Sequence, residues 1–480
     1  MHIQAKKVPG IPTESNTAFI VNSLDNLPKN FLTNDELNWA KEEYEKRKTR
    51  NYTFNRFSYR IFVYVIDNSV EHHLTIEKSR KAGAIWVKEL ANYHDATTYV
   101  TANVDCSEEL MAFSEGVILA SYKFTDFFTK AEKKENCLCE IFVSHEKICE
   151  KDIDELKNTC EANCVARTLV NLPAADLSAT DLAQAADKLS KETQIKTTIF
   201  GKKEIENLKM GGLLGVNKGS IDPPSFTIME YKPVSPVNKK PIIFVGKGVV
   251  YDTGGLNIKT GTFMENMKSD MGGAAAAICA LYAIAKNKLP IYAISLIPST
   301  DNRPGGNAYA SGDVLHMYNG STVEVINTDA EGRLILADAL AYAKQYDPEL
   351  VISLATLTGS AIRAVGNIAS AAMTVKADKY YPPLEAAAFD TFERIVRFPM
   401  WDEYGKELES EIADIKNLGG PYAGQIHAAK FLAHFTDYPF IHLDIAGPSF
   451  TEKPKDYYSA GGTGVGVRLL YNFVNKLYNF

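Results

Sequence analysis

The sequence predicts an α/β protein of two domains: a smaller α/β domain at the N-terminus and a larger α/β/α domain with a mixed sheet at the C-terminus. Three observations carry this expectation. The chain has 480 residues, more than one core ordinarily encloses at about 150 residues per domain. Its first 150 residues alternate aromatic, β-branched runs with charged helical stretches. From residue 173 onward, apolar strands alternate with helical segments, the pattern of a parallel or mixed sheet covered on both faces. The expected boundaries are a first domain over 1–150, a linker helix over 151–172 and a second domain over 173–480.

In the first domain, Phe57 to Ile66 (FSYRIFVYVI) reads as a strand and Asp35 to Arg50 as a charged helix. The tandem His72-His73 gains no metal role, because adjacent side chains point apart on either regular element. Asp152 to Asn171 reads as the linker helix. Its apolar residues Ile153, Leu156, Cys160, Val165 and Leu169 recur at helical spacing, and Pro173 stops it. Beyond it, the strands expected are Ile242–Val245, Ile291–Leu296, Val323–Ile326 and Leu350–Leu354. The helices expected are Gly273–Ala285 and Ile335–Lys344. There is no internal repeat and no low-complexity tract.

Composition narrows the functional classes. Hydrophobic residues at 45% and charged residues at 23% are ordinary globular values. A net charge of −7 gives no reason to expect nucleic acid as a partner. The opening Met1-His2-Ile3-Gln4-Ala5-Lys6-Lys7 has no apolar signal region. The longest apolar stretch, Ala274 to Ala285, falls short of the about 20 residues that span a bilayer. We therefore expect a soluble, cytoplasmic protein with no membrane partner. The seven cysteines, Cys106, Cys137, Cys139, Cys149, Cys160, Cys164 and Cys279, read as reduced thiols, and Cys137-Leu138-Cys139 lacks a matching pair at zinc-finger spacing.

The chemistry gathers where strands end. One cluster runs from Phe244 to Gly255 and carries Lys247 and Asp252 in a Gly-rich turn. Lys259 follows, and Asp270 stands just before Gly272-Gly273 and an Ala-rich helix. Open α/β sheets bind their ligands outside the carboxyl ends of strands. The other cluster is Asn327 to Arg333, directly after an apolar strand. If the chain stays extended there, Asp329, Glu331 and Arg333 project to one side. Asp252, Asp270, Asp329 and Glu331 are costly to bury without compensating charge, and two divalent cations would balance them. Carboxylates are hard ligands suited to Mn²⁺, Mg²⁺ or Zn²⁺. A Lys247 in such a site would have to ligate as the neutral amine, with a strongly depressed pKa. Singly these residues have bland readings: a helix cap for Asp270, a surface ion pair for Arg333. Gly246-Lys247-Gly248 fits neither common phosphate-loop pattern, and Asp252-Thr253-Gly254 has no second copy to make an aspartic-protease pair.

Taken together, the clusters resemble the leucyl aminopeptidase family. Asn327 to Leu334 (NTDAEGRL), Gly246 to Gly255, Lys259, Met267 to Gly273 and Ala355 to Gly359 all fit that family's segments in order and spacing. Weaker matches follow at Pro399–Tyr404, Ala413-Asp414-Ile415, Ala423–Leu432, His442–Gly447 and Gly464–Leu470, so the resemblance covers roughly 164–470. Tyr251, Thr253 and Pro448-Ser449-Phe450 depart from it. The resemblance implies a macro-like N-terminal domain and a catalytic domain over 173–480. It implies an aminopeptidase with two divalent metal ions per subunit (Zn²⁺ or Mn²⁺), acting on peptides with Leu-like or other hydrophobic N-terminal residues, and a homohexamer. By the same resemblance, Asp252 and Glu331 bridge the metals, Lys247 and Asp270 complete the tighter site, and Asp329 completes the exchangeable one. Lys259 stabilises the oxyanion and Arg333 holds a bicarbonate that serves as general base. Met267, Asn327, Thr356 and Gly359 line the pocket for the first side chain. The alternative is an inactive scaffold or DNA-binding regulator of the same fold.

Overall fold

The computed structural model describes residues 4–480 apart from 29, 92–96, 104, 130–137 and 139. It forms two compact units, Met1–Cys164 with Glu452–Ala460, and Val165–Thr451 with Gly461–Phe480. Cys137 and Cys139 lie outside the described residues.

Among the described residues of the first unit, the sheet order is Gln4–Lys7, Glu140–Ser144, Thr97–Ala102, Thr17–Val21, Arg60–Val65, Asn51–Asn55. The last two strands pair antiparallel and the others parallel. Every residue of Arg60–Val65 is buried, which is why its sequence shows a continuous run rather than alternation. Phe62 packs on one face against Trp86 and Phe113, with the Phe62 and Trp86 rings 5.4 Å apart. Its neighbour Val63 packs on the other face with Phe19 and Tyr52, as the two-residue period requires. The charged helix is Asn34–Arg47, opened by a Thr33–Glu36 capping box. His72 and His73 begin the helix His72–Leu90 and pair with Glu108 and Glu71. The returning segment 452–460 buries Tyr457 in this unit's core, where its hydroxyl donates to Glu77 at 3.2 Å. Asp456 pairs with Lys81, also at 3.2 Å. The helix Glu150–Asn171 carries the chain into the second unit.

The second unit is built on a mixed sheet of nine strands among the described residues. Its order is Ile395–Arg397, Ser370–Val375, Phe440–Asp444, Leu350–Ala355, Ile242–Gly246, Ala293–Asn302, Ser225–Tyr231, Lys196–Phe200, with Gly248–Asp252 pairing alongside Ala293–Asn302. The centre is parallel and the flanks bring antiparallel pairs. The helices Gly272–Lys286 and Glu331–Ala343 are buried over nearly their whole lengths, so each shows an apolar sequence rather than a stripe. Gly273 lets the first of these approach the sheet: a Cβ there would lie 2.0 Å from the Leu354 carbonyl oxygen.

Two expectations need correction. The apolar run Val323–Ile326 is not a strand of the main sheet. Thr322–Glu324 belongs to a separate sheet with Val314–His316 and Ile415–Lys416. The chain is also not extended across Asp329–Arg333, because a helix begins at Glu331. No described helix is long and apolar enough to cross a membrane.

Candidate active site

Lys247 sits between the end of Ile242–Gly246 and the start of Gly248–Asp252. Its N–H donates to Leu354 O at 3.0 Å and its carbonyl accepts from Ala274 N–H at 2.9 Å. The residue is thus fixed between the sheet and the first turn of the Ala-rich helix. Its side chain is buried, with Nζ 2.7 Å from Asp270 Oδ2, 2.9 Å from Glu331 Oε1 and 3.0 Å from Thr356 O. Gly332 makes room for it, since a Cβ at 332 would lie 2.4 Å from Lys247 Cε. Asp270 does not cap the helix that follows; Met271 is the cap residue and offers no side-chain bond. Asp270 instead accepts the Thr356 hydroxyl at 2.7 Å.

Asp252 closes the next strand and is also buried. Its Oδ1 accepts from Gly254 N–H at 2.8 Å and Asn302 Nδ2 at 2.9 Å. Its Oδ2 meets Lys259 Nζ at 2.8 Å, and the same ammonium lies 2.6 Å from Asp329 Oδ1. Gly254, at φ +87°, adopts the left-handed turn this return demands.

The second cluster meets these groups through Glu331 and Asp329. Asn327 turns the chain, its Oδ1 accepting the Asp329 N–H at 2.7 Å. The helix then starts with Glu331 in its first turn. Side chains two positions apart on a helix diverge by about 200°, so Glu331 and Arg333 face opposite ways. Glu331 meets Lys247, while Arg333 donates to Asn417 O at 2.9 Å.

Charge dominates this cluster. Burial pushes the Asp270 carboxyl well above its ordinary range, with Lys247 opposing and Asp252 reinforcing the shift. Burial raises Glu331 and Asp329 too, each reinforced by Asp252. Burial pulls the Lys247 ammonium down, but Asp270, Glu331 and Asp252 outweigh it and hold the group above its usual value. Lys259 is held up in the same way, by Asp252, Glu331 and Asp329 against its burial. The neutral amine needed for ligation by Lys247 therefore requires another counter-charge for those carboxylates. Arg333 is pulled down to about 10 by burial, with Glu331 and Asp444 opposing.

The donor set fits divalent cations. One carboxylate oxygen from each of Asp252, Asp329 and Glu331 lies within 4.8 Å of the others. Glu331 Oε2 is buried and accepts no hydrogen bond, and Asp270 Oδ2 lies near Lys247 without the direction a hydrogen bond needs. Buried carboxylate oxygens without donors are costly unless a cation meets them.

The other residues expected to act stand at different distances from this centre. Thr356 touches Asp270 directly, Asn327 orients the Asp329 backbone, and Met267 opens the short 3-10 turn Met267–Ser269 that leads into Asp270. Gly359 starts the helix Gly359–Val365 and is exposed. Sequence reasoning missed the polar residues that hold the second cluster in place and tie it to the first. The buried Asn417 accepts from Ile326 N–H at 2.8 Å and donates to Asn327 O at 2.8 Å. Asn302 joins Asp252 to Thr328, and the Tyr309 hydroxyl donates to Thr328 O at 2.7 Å. An uncharged Asn or a Tyr inside a strand or loop has no spacing pattern that marks it.

A carboxylate-rich centre with one buried and one half-buried lysine, set at strand ends of a helix-covered mixed sheet, has the donor chemistry of a metal-dependent enzyme. The sequence model of the cytosol aminopeptidase family, catalytic domain, matches residues 164–471. A probable cytosol aminopeptidase of Clostridium perfringens is 38% identical over 419 residues, covering 85% of this chain and 84% of that one. One from Chlorobium phaeobacteroides is 44% identical over 379 residues, 76% of this chain and 74% of that one. Among solved structures, the bottromycin maturation enzyme BotP in complex with Mn is 27% identical, with a TM-score of 0.85 over 97% of this chain and 100% of that one. A mutant leucine aminopeptidase of tomato is 26% identical, with a TM-score of 0.86 over 98% and 96%. The chain belongs to the cytosol aminopeptidase family, and is a hydrolase of the metallo-exopeptidase type.

Proposed function

We propose that the protein removes the N-terminal residue of peptides, preferring Leu-like or other hydrophobic ones, with two divalent ions per chain, Zn²⁺ or Mn²⁺. The observation that carries this is that one carboxylate oxygen from each of Asp252, Asp329 and Glu331 lies within 4.8 Å of the others, while the buried Glu331 Oε2 accepts no hydrogen bond. Lys247, Asp252, Asp270, Asp329 and Glu331 would hold the ions, with Lys247 and Asp270 at the tighter site, Asp329 at the exchangeable one, and Asp252 and Glu331 serving both. Bound there, the ions would supply Lewis acidity to the scissile carbonyl and to the attacking water. Lys259, held as an ammonium at the mouth of the cluster, donates to the oxyanion as it forms. Arg333, whose buried Nε has no hydrogen-bond partner, would hold a bicarbonate, which would supply a general base. Met267, Asn327, Thr356 and Gly359 line the pocket for the first side chain. A homohexamer working in the cytoplasm is part of the same reading.

The test is chromophore release from a panel of unmodified aminoacyl amides after reconstitution with Mn²⁺, Zn²⁺ or Co²⁺ separately. Metal-dependent release is expected, fastest for hydrophobic residues, with N-acetylated forms cleaved poorly because the free amine orients the substrate. Equal cleavage of acetylated and free forms would refute the exopeptidase reading.

A further inference from the structure

Asn302 ends the strand Ala293–Asn302 opposite Asp252 and is wholly buried. Its carboxamide nitrogen lies 2.9 Å from Asp252 Oδ1 and 3.0 Å from the carbonyl oxygen of Thr328. Both are acceptors, so the NH₂ end must face them; the flipped amide would set lone pairs against lone pairs. Asp252 Oδ1 also takes the Gly254 N–H. Two donors therefore hold one oxygen of this carboxylate, while Oδ2 points to Lys259. The backbone is fastened at the same place, with Thr253 N–H and hydroxyl donating to Asn302 O at 3.0 and 2.7 Å. Gly255, at φ +65°, leaves the space: a Cβ there would lie 2.8 Å from Asn302 Oδ1.

We propose that Asn302 is a positioning residue for metal ligation, locking Asp252 so that Oδ2 is the oxygen presented to the cations and tying it, through Thr328, to the segment bearing Asp329 and Glu331. This rests on the reading of Asp252 as a metal ligand. The carboxamide costs nothing in charge, yet it removes the rotation that would let Asp252 turn away from its partners. Loss of such an outer partner typically weakens metal binding about 10–100-fold.

The test compares wild type, Asn302→Leu and Asn302→Thr, each stripped with chelator and titrated with Mn²⁺ by calorimetry. Leu has the same number and branching of side-chain heavy atoms, though it is bulkier, and no donor. Thr suits a strand and donates to one acceptor at most. Mn²⁺ affinity should fall about 10–100-fold in the Leu variant and by less in the Thr variant. KM for a dipeptide should stay close to wild type, and kcat should recover as Mn²⁺ is raised. A purely structural role would lower the thermal midpoint without that Mn²⁺-dependent recovery. If the Leu variant does not fold, the Thr variant decides. Unchanged affinity in a folded variant overturns the positioning role and leaves the metal site standing. A wild type that binds no Mn²⁺ overturns both.

Discussion

Lys259 stands between two acids from different clusters, 2.8 Å from Asp252 and 2.6 Å from Asp329. Such a cation is placed to act on charge that appears during the reaction rather than on the resting substrate. Lys259→Ala should lose about 10²–10³ in kcat, the usual cost of one oxyanion donor, while metal analysis still finds both ions. A variant that keeps its kcat, or loses its metal, assigns the lysine another task. At this scale the charged residues were legible in the sequence because four acids and two lysines gathered at strand ends have no cheap joint explanation, although singly such residues have bland ones. Asn302 and Asn417 were not, although Asn302 joins the two clusters by side-chain bonds and Asn417 fixes the chain entering the second one. A neutral amide is common in loops and strands, and only its partners distinguish it.

Elements were legible where burial is uniform. Ile242–Gly246 and Leu350–Ala355 are buried throughout, so their apolar runs stood out. The helix at Glu331 began earlier than expected because Ala330 caps it without a side-chain bond, and the usual Ser, Thr or Asp signal is missing. Thr322–Glu324 is three residues long, too short for a period to establish which sheet it joins. Strand pairing also places a titratable group in the core. His442 lies opposite Ser353 on the neighbouring strand, with Nδ1 2.8 Å from its hydroxyl. Burial, aided by Arg333, pulls its pKa from 6.5 to about 3. The folded state therefore holds this ring neutral while the unfolded chain protonates it below about 6.5. His442 contributes no pH dependence above that value and subtracts stability as pH falls from 6.5 towards 3. Urea midpoints measured across that range should fall less steeply for His442→Gln than for wild type. Parallel curves would mean that the imidazole titrates alike in both states.

On the scale of the molecule, the proposed cations belong to one unit only, since all their ligands lie within Val165–Thr451. Ligands that bind the native state alone stabilise it, by about 2.7 kcal/mol at a hundred times the dissociation constant. Chelation should therefore lower the thermal midpoint of the second unit, and Mn²⁺ should restore it, in a scan that resolves two transitions. A chelated protein that melts like the loaded one would remove the metals from the stability of the fold. The first unit bears a different dependence. Its core includes Tyr457, from the segment Glu452–Ala460, although the rest of the unit ends at Cys164. A chain leaving the ribosome ordinarily folds its leading domain first. Here the leading unit receives its last core residue only after nearly all of the trailing one has been synthesised. Translation thus reverses the usual order of completion, and a premature stop shortly before codon 452 would leave the beginning of the protein, not just its end, unfinished.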